Sequence, residues 1–151
     1  MSPKRQEFAK HFGASAVLDP TKEDVVKMCR EMSEGGDGVD VVFDAAGVQA
    51  AFEQGVEALK AHGTLVNIAV WEKRASFDPN KFLFKEIRYQ GIATYVKGDF
   101  EEVIDAIKSG KMEPGPMITK KIKMDEVVEE GFMTLVKDKD SQVKILVEAG
   151  T

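Results

Sequence analysis

The sequence predicts an α/β protein built around a largely parallel sheet, and three observations carry the prediction. Apolar runs of strand length alternate with amphipathic runs of helix length from one end of the chain to the other. The run Val39-Asp40-Val41-Val42-Phe43 is apolar at all but one position, the pattern of a strand covered on both faces, as in a parallel sheet. It ends in Asp44-Ala45-Ala46-Gly47, an acid and a small-residue turn, with helix-like sequence from Val48 onward. Strand, tight turn and helix make half of a βαβ unit, and in open α/β sheets ligands bind beyond the carboxyl ends of the strands. Asp44 to Gly47 therefore reads as the rim of a binding site.

The elements follow in chain order. Ser2 and Pro3 are expected to open a helix as N-cap and first helical residue. Lys4 to Phe12 carries the stripe Phe8, Ala9 and Phe12, and Gly13 closes it. Ala16 to Leu18 reads as a short strand. Asp19-Pro20-Thr21 is turn chemistry, and Thr21 is expected to cap a second helix over 22–33, with Val25, Val26, Cys29 and Met32 on one face. Gly35-Gly36-Asp37-Gly38 is a loop before the Val39 strand. A third helix is expected over 48–61, with Phe52, Val56 and Leu59 inward and Gly63 at its end. Thr64 to Val70 is another apolar strand, Glu72 to Asn80 a polar connection, and Pro79-Asn80 opens a single turn through Phe84. Arg88 to Tyr95 reads as a strand. Asp99 is expected to cap a fourth helix, Phe100 to Ser109, striped by Val103, Ile104 and Ile107 and stopped by Gly110. A stiff connector, Met112 to Met117, leads to a strand at Ile118 to Ile122. A fifth helix runs from Met124 to about Lys137, Lys139-Asp140-Ser141 is a loop, and Val143 to Val147 is a last strand.

Composition narrows the class. The chain has 151 residues, 43% apolar and 31% charged, with a formal net charge of -5, which suits a folded soluble protein and is too apolar for disorder. No basic stripe suggests nucleic acid. The single cysteine, Cys29, excludes an intrachain disulfide and a cysteine-clustered zinc site; inside a helix it reads as a small apolar residue. His11 and His62 stand near helix ends without ligand-like spacing. No apolar run is long enough to span a bilayer and no signal-peptide pattern opens the chain, so a soluble, cytoplasmic protein is expected.

Chemical motifs are sparse. There is no nucleophile elbow, no P-loop and no His-x-x-x-His. Gly35-Gly36-Asp37-Gly38 precedes a strand, whereas a phosphate-binding loop follows a strand and opens a helix so that its amides face the phosphates; it reads as a plain loop. Asp44, at a strand end, can accept main-chain amides. Glu53 reads as part of a solvated helix face.

Taken together, several segments carry a resemblance. Glu7 to Ala14 followed by Ala16-Val17-Leu18-Asp19-Pro20 resembles the helix and third strand of the cofactor domain of zinc-dependent medium-chain alcohol dehydrogenases. Asp40 to Gly47 resembles the fourth strand, Gly63 to Val70 the fifth, and Gly91-Ile92-Ala93-Thr94-Tyr95 the end of the sixth. Ser109-Gly110-Lys111 with Pro116 to Thr119 resembles the segment returning to the catalytic domain. Each motif alone is weak, but their order and spacing cover nearly the whole chain. The subgroup they most resemble is the 2,3-butanediol and polyol dehydrogenases.

The resemblance implies an incomplete Rossmann-like doubly wound parallel sheet lacking its first two strands. Residues 1–117 would be a truncated dinucleotide-binding domain and 118–151 a strand-helix-strand segment returning to an absent catalytic domain. It implies NAD or NADP as cofactor, and zinc in the parent family with no zinc ligands in this chain. Ala45, Ala46, Gly47 and Val48 would line the cofactor ribose, Ile68, Ala69 and Val70 would flank the nicotinamide, and Ile92, Ala93 and Thr94 would face its carboxamide. Arg5, beside Lys4, would contact the adenosine ribose or phosphate. Plainer readings stand beside these: a tight strand-to-helix turn, strand core, a subunit-edge strand, a solvated helix start, and for Trp71 a surface or core aromatic instead of a substrate wall. The strand Arg88–Tyr95 is the expected seam with a second copy or a full-length paralogue. With the first two strands absent, Ala16–Leu18 must leave the sheet, pair with another chain, or pair directly with Val39–Phe43; direct pairing is the favoured expectation, because it closes that edge. No turnover is expected from the chain alone.

Overall fold

The computed structural model describes residues 3–138 and 140–150; the expected N-cap at Ser2 and the loop residue Lys139 lie outside them. Packing divides the chain into two units, one of Leu18–Thr94 and one joining the chain up to Val17 with the chain from Tyr95. These units do not follow the segment boundary at 117. Among the described residues no helix is long and apolar enough to cross a membrane.

The unit Leu18–Thr94 is a parallel three-stranded sheet with helices between its strands: α2 (Val25–Met32), β1 (Val39–Asp44), α3 (Gln49–Ala58), β2 (Leu59–Asn67), α4 (Pro79–Lys85) and β3 (Arg88–Gly91), in strand order β1-β2-β3. The incomplete doubly wound sheet expected from the sequence is therefore present. Phe52, Val56, Leu59, Leu65 and Ile87 form its core, with Val39, Val42, Trp71 and Phe82 packed against them. Leu59 and Leu65 are fully buried, and each contributes on the order of 2 kcal/mol by leaving water. Gly55 lets α3 lie close on β1: a Cβ there would stand 3.0 Å from Val42 Cγ1.

Several boundaries differ from expectation, each for a local reason. Asp24 caps α2 by accepting from Lys27 N, so the helix starts at Val25. Thr21 belongs instead to the preceding turn, where its amide and hydroxyl both donate to Asp19 Oδ1. Helix α3 stops at Ala58, because Leu59 is extended and already pairs with Val39 as the first residue of β2. The end of α3 is finished by Lys85, whose Nζ donates to the carbonyls of Val56, Glu57 and Leu59; burial lowers the pKa of this ammonium. Strand β3 ends at Gly91, opposite the last residue of β2, instead of reaching Tyr95.

Two expectations about β1 are overturned. Residues 16–18 form no strand and do not pair with β1, whose only ladder among the described residues is with β2. Three residues running into the Asp19 turn offer too few ladder bonds to offset the cost of ordering a strand. Nor is β1 covered on both faces: Val42 packs on α3, while Val41 and Phe43 on the opposite face are exposed. An apolar run records a strand suited to two layers, and one of those layers has no counterpart among the described residues.

The second unit holds α1 (Pro3–His11), α5 (Lys97–Lys108) and the parallel pair β4 (Ile118–Lys123) and β5 (Lys144–Glu148). Helix α5 begins before Asp99, which sits in its first turn and accepts from Val96 N. Between β4 and β5 the expected fifth helix is composite: a 3₁₀ turn (Met124–Glu126), a π-helical stretch (Val127–Met133) and a final α turn, α6 (Thr134–Lys137). Gly131 sits over buried Ile122, where a Cβ would meet Ile122 Cδ1 at 3.1 Å.

Candidate functional site

The carboxyl ends of β1, β2 and β3 lie level, with Asp44 opposite Asn67 and Asn67 opposite Gly91. Parallel strands in register deliver their following loops to one edge, which is why this edge is where such sheets bind ligands. The loops are Ala45–Val48, Ile68–Val70 and Ile92–Thr94. They are tied to the sheet ends: Ile68 N and Ala69 N both donate to Asp44 O, and Ile92 N donates to Asn67 O.

Asp44 organises the first loop. It is 5% exposed, and its Oδ1 accepts from Ala46 N at 2.9 Å and Gly47 N at 3.0 Å. This is the amide-accepting role expected of it. Its Oδ2 is buried without a partner among the described residues. A carboxylate oxygen already takes the free amides of this turn, so the turn favours a hydrogen-bond donor over a phosphate. Gly47 has φ 63°, and a Cβ there would come within 3.1 Å of Ala69 Cβ and 3.3 Å of Val70 O. The first and second loops are therefore in contact at this glycine.

Of the residues singled out in the sequence, Ala45, Ala46, Gly47, Val48, Ile68, Ala69, Val70, Ile92, Ala93 and Thr94 stand on these three loops. Ala45, Ala46, Val48, Ile68, Val70, Ile92, Ala93 and Thr94 are exposed, and Val70 is almost fully so at 95%. Gly47 and Ala69 are half-buried. Thr94 has φ 61° and turns the chain away after β3. Arg5 is exposed on α1, in the other unit; beside it Lys4 Nζ donates to Ser141 O.

An open cleft of about 720 Å³ runs from Ala46, Gly47 and Val48 to the segment after β2, where Val70, Glu72 and Arg74 face it. Gln49 lines this cleft and Asn67 holds the lining residue Trp71; neither was singled out in the sequence. Gln49 binds the main chain of Ser76 through both ends of its amide and also donates to Glu53. Asn67 accepts from Trp71 Nε1 at 3.1 Å and donates to Ala69 O. A polar residue directly after the apolar pair Leu65-Val66, as Asn67 is, was the available signal; Gln49 carried none. Trp71 itself is half-buried against Phe52 and also lines the cleft.

Among the described residues no group of three or more His, Cys, Asp or Glu could hold a metal ion.

The family model described as zinc-binding dehydrogenase matches residues 1–109. The chain belongs to that family. Residues 1–109 are part of the family's cofactor-binding domain, and the chain is 40% identical over 148 residues to (R,R)-butanediol dehydrogenase of Bacillus subtilis (strain 168), covering 97% of this chain and 41% of that protein. The crystal structure of 2R,3R-butanediol dehydrogenase from Bacillus subtilis superposes with a TM-score of 0.89 at 38% identity, over 99% of this chain and 42% of that one. A Sinorhizobium meliloti 1021 protein solved bound to NADP has a TM-score of 0.76 at 29% identity, over 97% of this chain and 43% of its own. The zinc-binding dehydrogenase segment described here thus spans about two-fifths of the length of these relatives.

Proposed function

We propose that this chain is the cofactor-binding portion of an NAD(P)-dependent zinc alcohol dehydrogenase that oxidises a secondary alcohol of the 2,3-butanediol or polyol type. The observation that carries the reading is the level edge of three parallel strands, with Ala45–Val48, Ile68–Val70 and Ile92–Thr94 on three adjacent loops. When bound, NAD(P) accepts a hydride from the alcohol. The chain's own residues bind and orient it: small side chains at Ala45, Ala46 and Gly47 admit the nicotinamide ribose closely, and Asp44 Oδ2 is a buried acceptor for a donor at that turn. Ile68, Ala69 and Val70 flank the nicotinamide, and Ile92, Ala93 and Thr94 offer main-chain groups to its carboxamide. In this reading 1–117 is the dinucleotide domain, 118–151 leads back toward a catalytic domain, and the chain works in the cytoplasm. The zinc ligands come from outside this chain, which alone gives no turnover.

A chimera tests this. The matching segment of Bacillus subtilis butanediol dehydrogenase is replaced by this chain, and NADH and NADPH binding are titrated alongside oxidation of (2R,3R)-butanediol. Binding and activity are expected in the chimera and no activity in the isolated chain. A folded chimera that binds neither nucleotide rules the reading out.

A second, non-catalytic reading rests on β3. It is an edge strand exposed along its length, followed by exposed Ile92 and Tyr95. Association with a second copy or a full-length paralogue through Arg88–Tyr95 would pair that edge. Small-angle scattering of the chain, alone and with the paralogue, should show a dimer; a monomer in both mixtures removes this reading.

A further inference from the structure

We propose that the pocket beside Phe52 binds a small uncharged aromatic molecule. The pocket measures about 620 Å³ and lies in the unit Leu18–Thr94, among α3, α4, β3 and the segment that follows β2. Five rings surround it. Phe52 meets Trp71 edge-on with centroids 6.0 Å apart, stacks with Phe82 at 6.2 Å and meets Tyr89 edge-on at 6.2 Å. Phe77 meets Phe82 edge-on at 5.5 Å.

The chemistry of the occupant follows from the lining. Among the described residues no charged side chain lines the pocket, so an ionised ligand would lose its water without gaining a counter-charge. The only indole donor is used internally, since Trp71 Nε1 donates to Asn67 Oδ1. What Trp71 gives the pocket is ring. Ring faces and edges already held at mixed angles accept another flat ring in the offset or edge-to-face arrangements that aromatic pairs prefer. The volume lies in the range of small-molecule sites, roughly 300–1,000 Å³, and suits a compound of two or three rings. Phe77 is 60% exposed and Tyr89 51% exposed, so an occupant reaches the pocket from solvent and covers apolar surface as it enters. None of the loop residues at 45–48, 68–70 or 92–94 lines it, so the proposal does not depend on the dehydrogenase reading.

The test uses the full chain and N-phenyl-1-naphthylamine, an uncharged aryl fluorophore. Trp71 is the only tryptophan and serves as energy-transfer donor. Saturable binding of one probe per chain is expected, with Trp71 emission quenched as probe emission rises and no displacement by NADH. Ala75 also lines the pocket; Ala75→Phe should fill it and weaken binding by about tenfold or more with an unchanged circular dichroism spectrum. Should that variant misfold, ring-proton shifts of Phe52 and Phe77 on addition of 2-naphthol to the unaltered chain decide the matter. Unsaturable binding, equal binding to a folded Ala75→Phe variant, absent ring shifts, or binding that vanishes as rising protein concentration lets a second copy fill the pocket would each overturn the proposal.

Discussion

The side chain of Gln49 pairs with the main chain of Ser76 through two hydrogen bonds: Nε2 donates to Ser76 O at 2.6 Å, and Ser76 N donates to Oε1 at 2.9 Å. A primary amide presents a donor and an acceptor side by side, as a peptide group does. The first residue of α3 thereby holds the loop that follows β2 against the helix, one residue beyond the candidate cofactor turn.

Gln49→Ala is expected to release that loop, at a cost of about 1–2 kcal/mol for the two bonds. Hydrogen exchange at the Ser76 amide should speed up while the β2 amides keep their protection. Unaltered exchange at Ser76 would show that the loop is held by other means.

Gly47→Ala carries two penalties. Its φ of 63° is unfavourable for a residue with a Cβ, and that Cβ would press on Ala69. The conformational part alone is about 1–2 kcal/mol. A lower urea midpoint with an unchanged slope is the expected result; an unchanged midpoint would mean that the two loops separate freely.

Asp44 distinguishes two roles by two substitutions. Asp44→Ala strands the amides of Ala46 and Gly47 and should cost about 1–3 kcal/mol. Asp44→Asn keeps an acceptor at Oδ1 and puts a donor where Oδ2 stood, so it should be milder for the chain alone. In the chimera the same Asn removes the spare acceptor and should weaken NAD(P)H binding. Equal affinity of the Asp and Asn chimeras would remove Asp44 from the cofactor site.

Lys85→Met should be costly out of proportion to its place near the surface. Three main-chain oxygens at the end of α3 lose their donor at once, and bonds to a charged group are worth about 1.5–3 kcal/mol. Thermal melts of Lys85→Met and Lys85→Arg check this, and a melt for Met indistinguishable from the parent would contradict it.

Acid should weaken the fold through named carboxylates. A hydrogen bond from Lys81 holds Glu57 below its ordinary value of 4.5, and one from Lys60 holds Asp40 below 3.8. The Thr21 hydroxyl does the same for Asp19, and Lys120 for Glu130. A carboxyl whose pKa falls on folding stabilises above its unfolded value, and that stability is lost as pH drops toward the folded one. The urea midpoint should therefore fall between about pH 5 and about pH 3. Because the three lysine–carboxylate pairs are exposed or half-exposed, added salt should flatten their part of the slope. A midpoint that stays level across the range would contradict the assignment.

Much of this was legible in the residues because it is local. Val39 to Phe43 followed by an acid and Gly47 specifies strand, turn and helix through periodicity, burial and the need for a positive φ, and all of these act within a few residues. Asp44 as an acceptor of its own turn's amides was readable for the same reason. The order and spacing of the segments were enough to indicate the family.

Other features needed distant partners, and only the tertiary structure decided them. Leu59 belongs to β2 because Val39 and the core claim it, although its helical periodicity with Phe52 and Val56 is sound. Residues 16–18 are strand-like in composition but form no ladder, since a strand exists only with a neighbour in register. Gln49 and Ser76 are 27 positions apart, and the five rings around the Phe52 pocket come from three elements and a loop; nothing in local sequence announces either. Short-range preferences fixed what each segment of this chain can become. Which segments meet, and hence where a ligand can lie, depended on long-range burial that no short stretch of residues encodes.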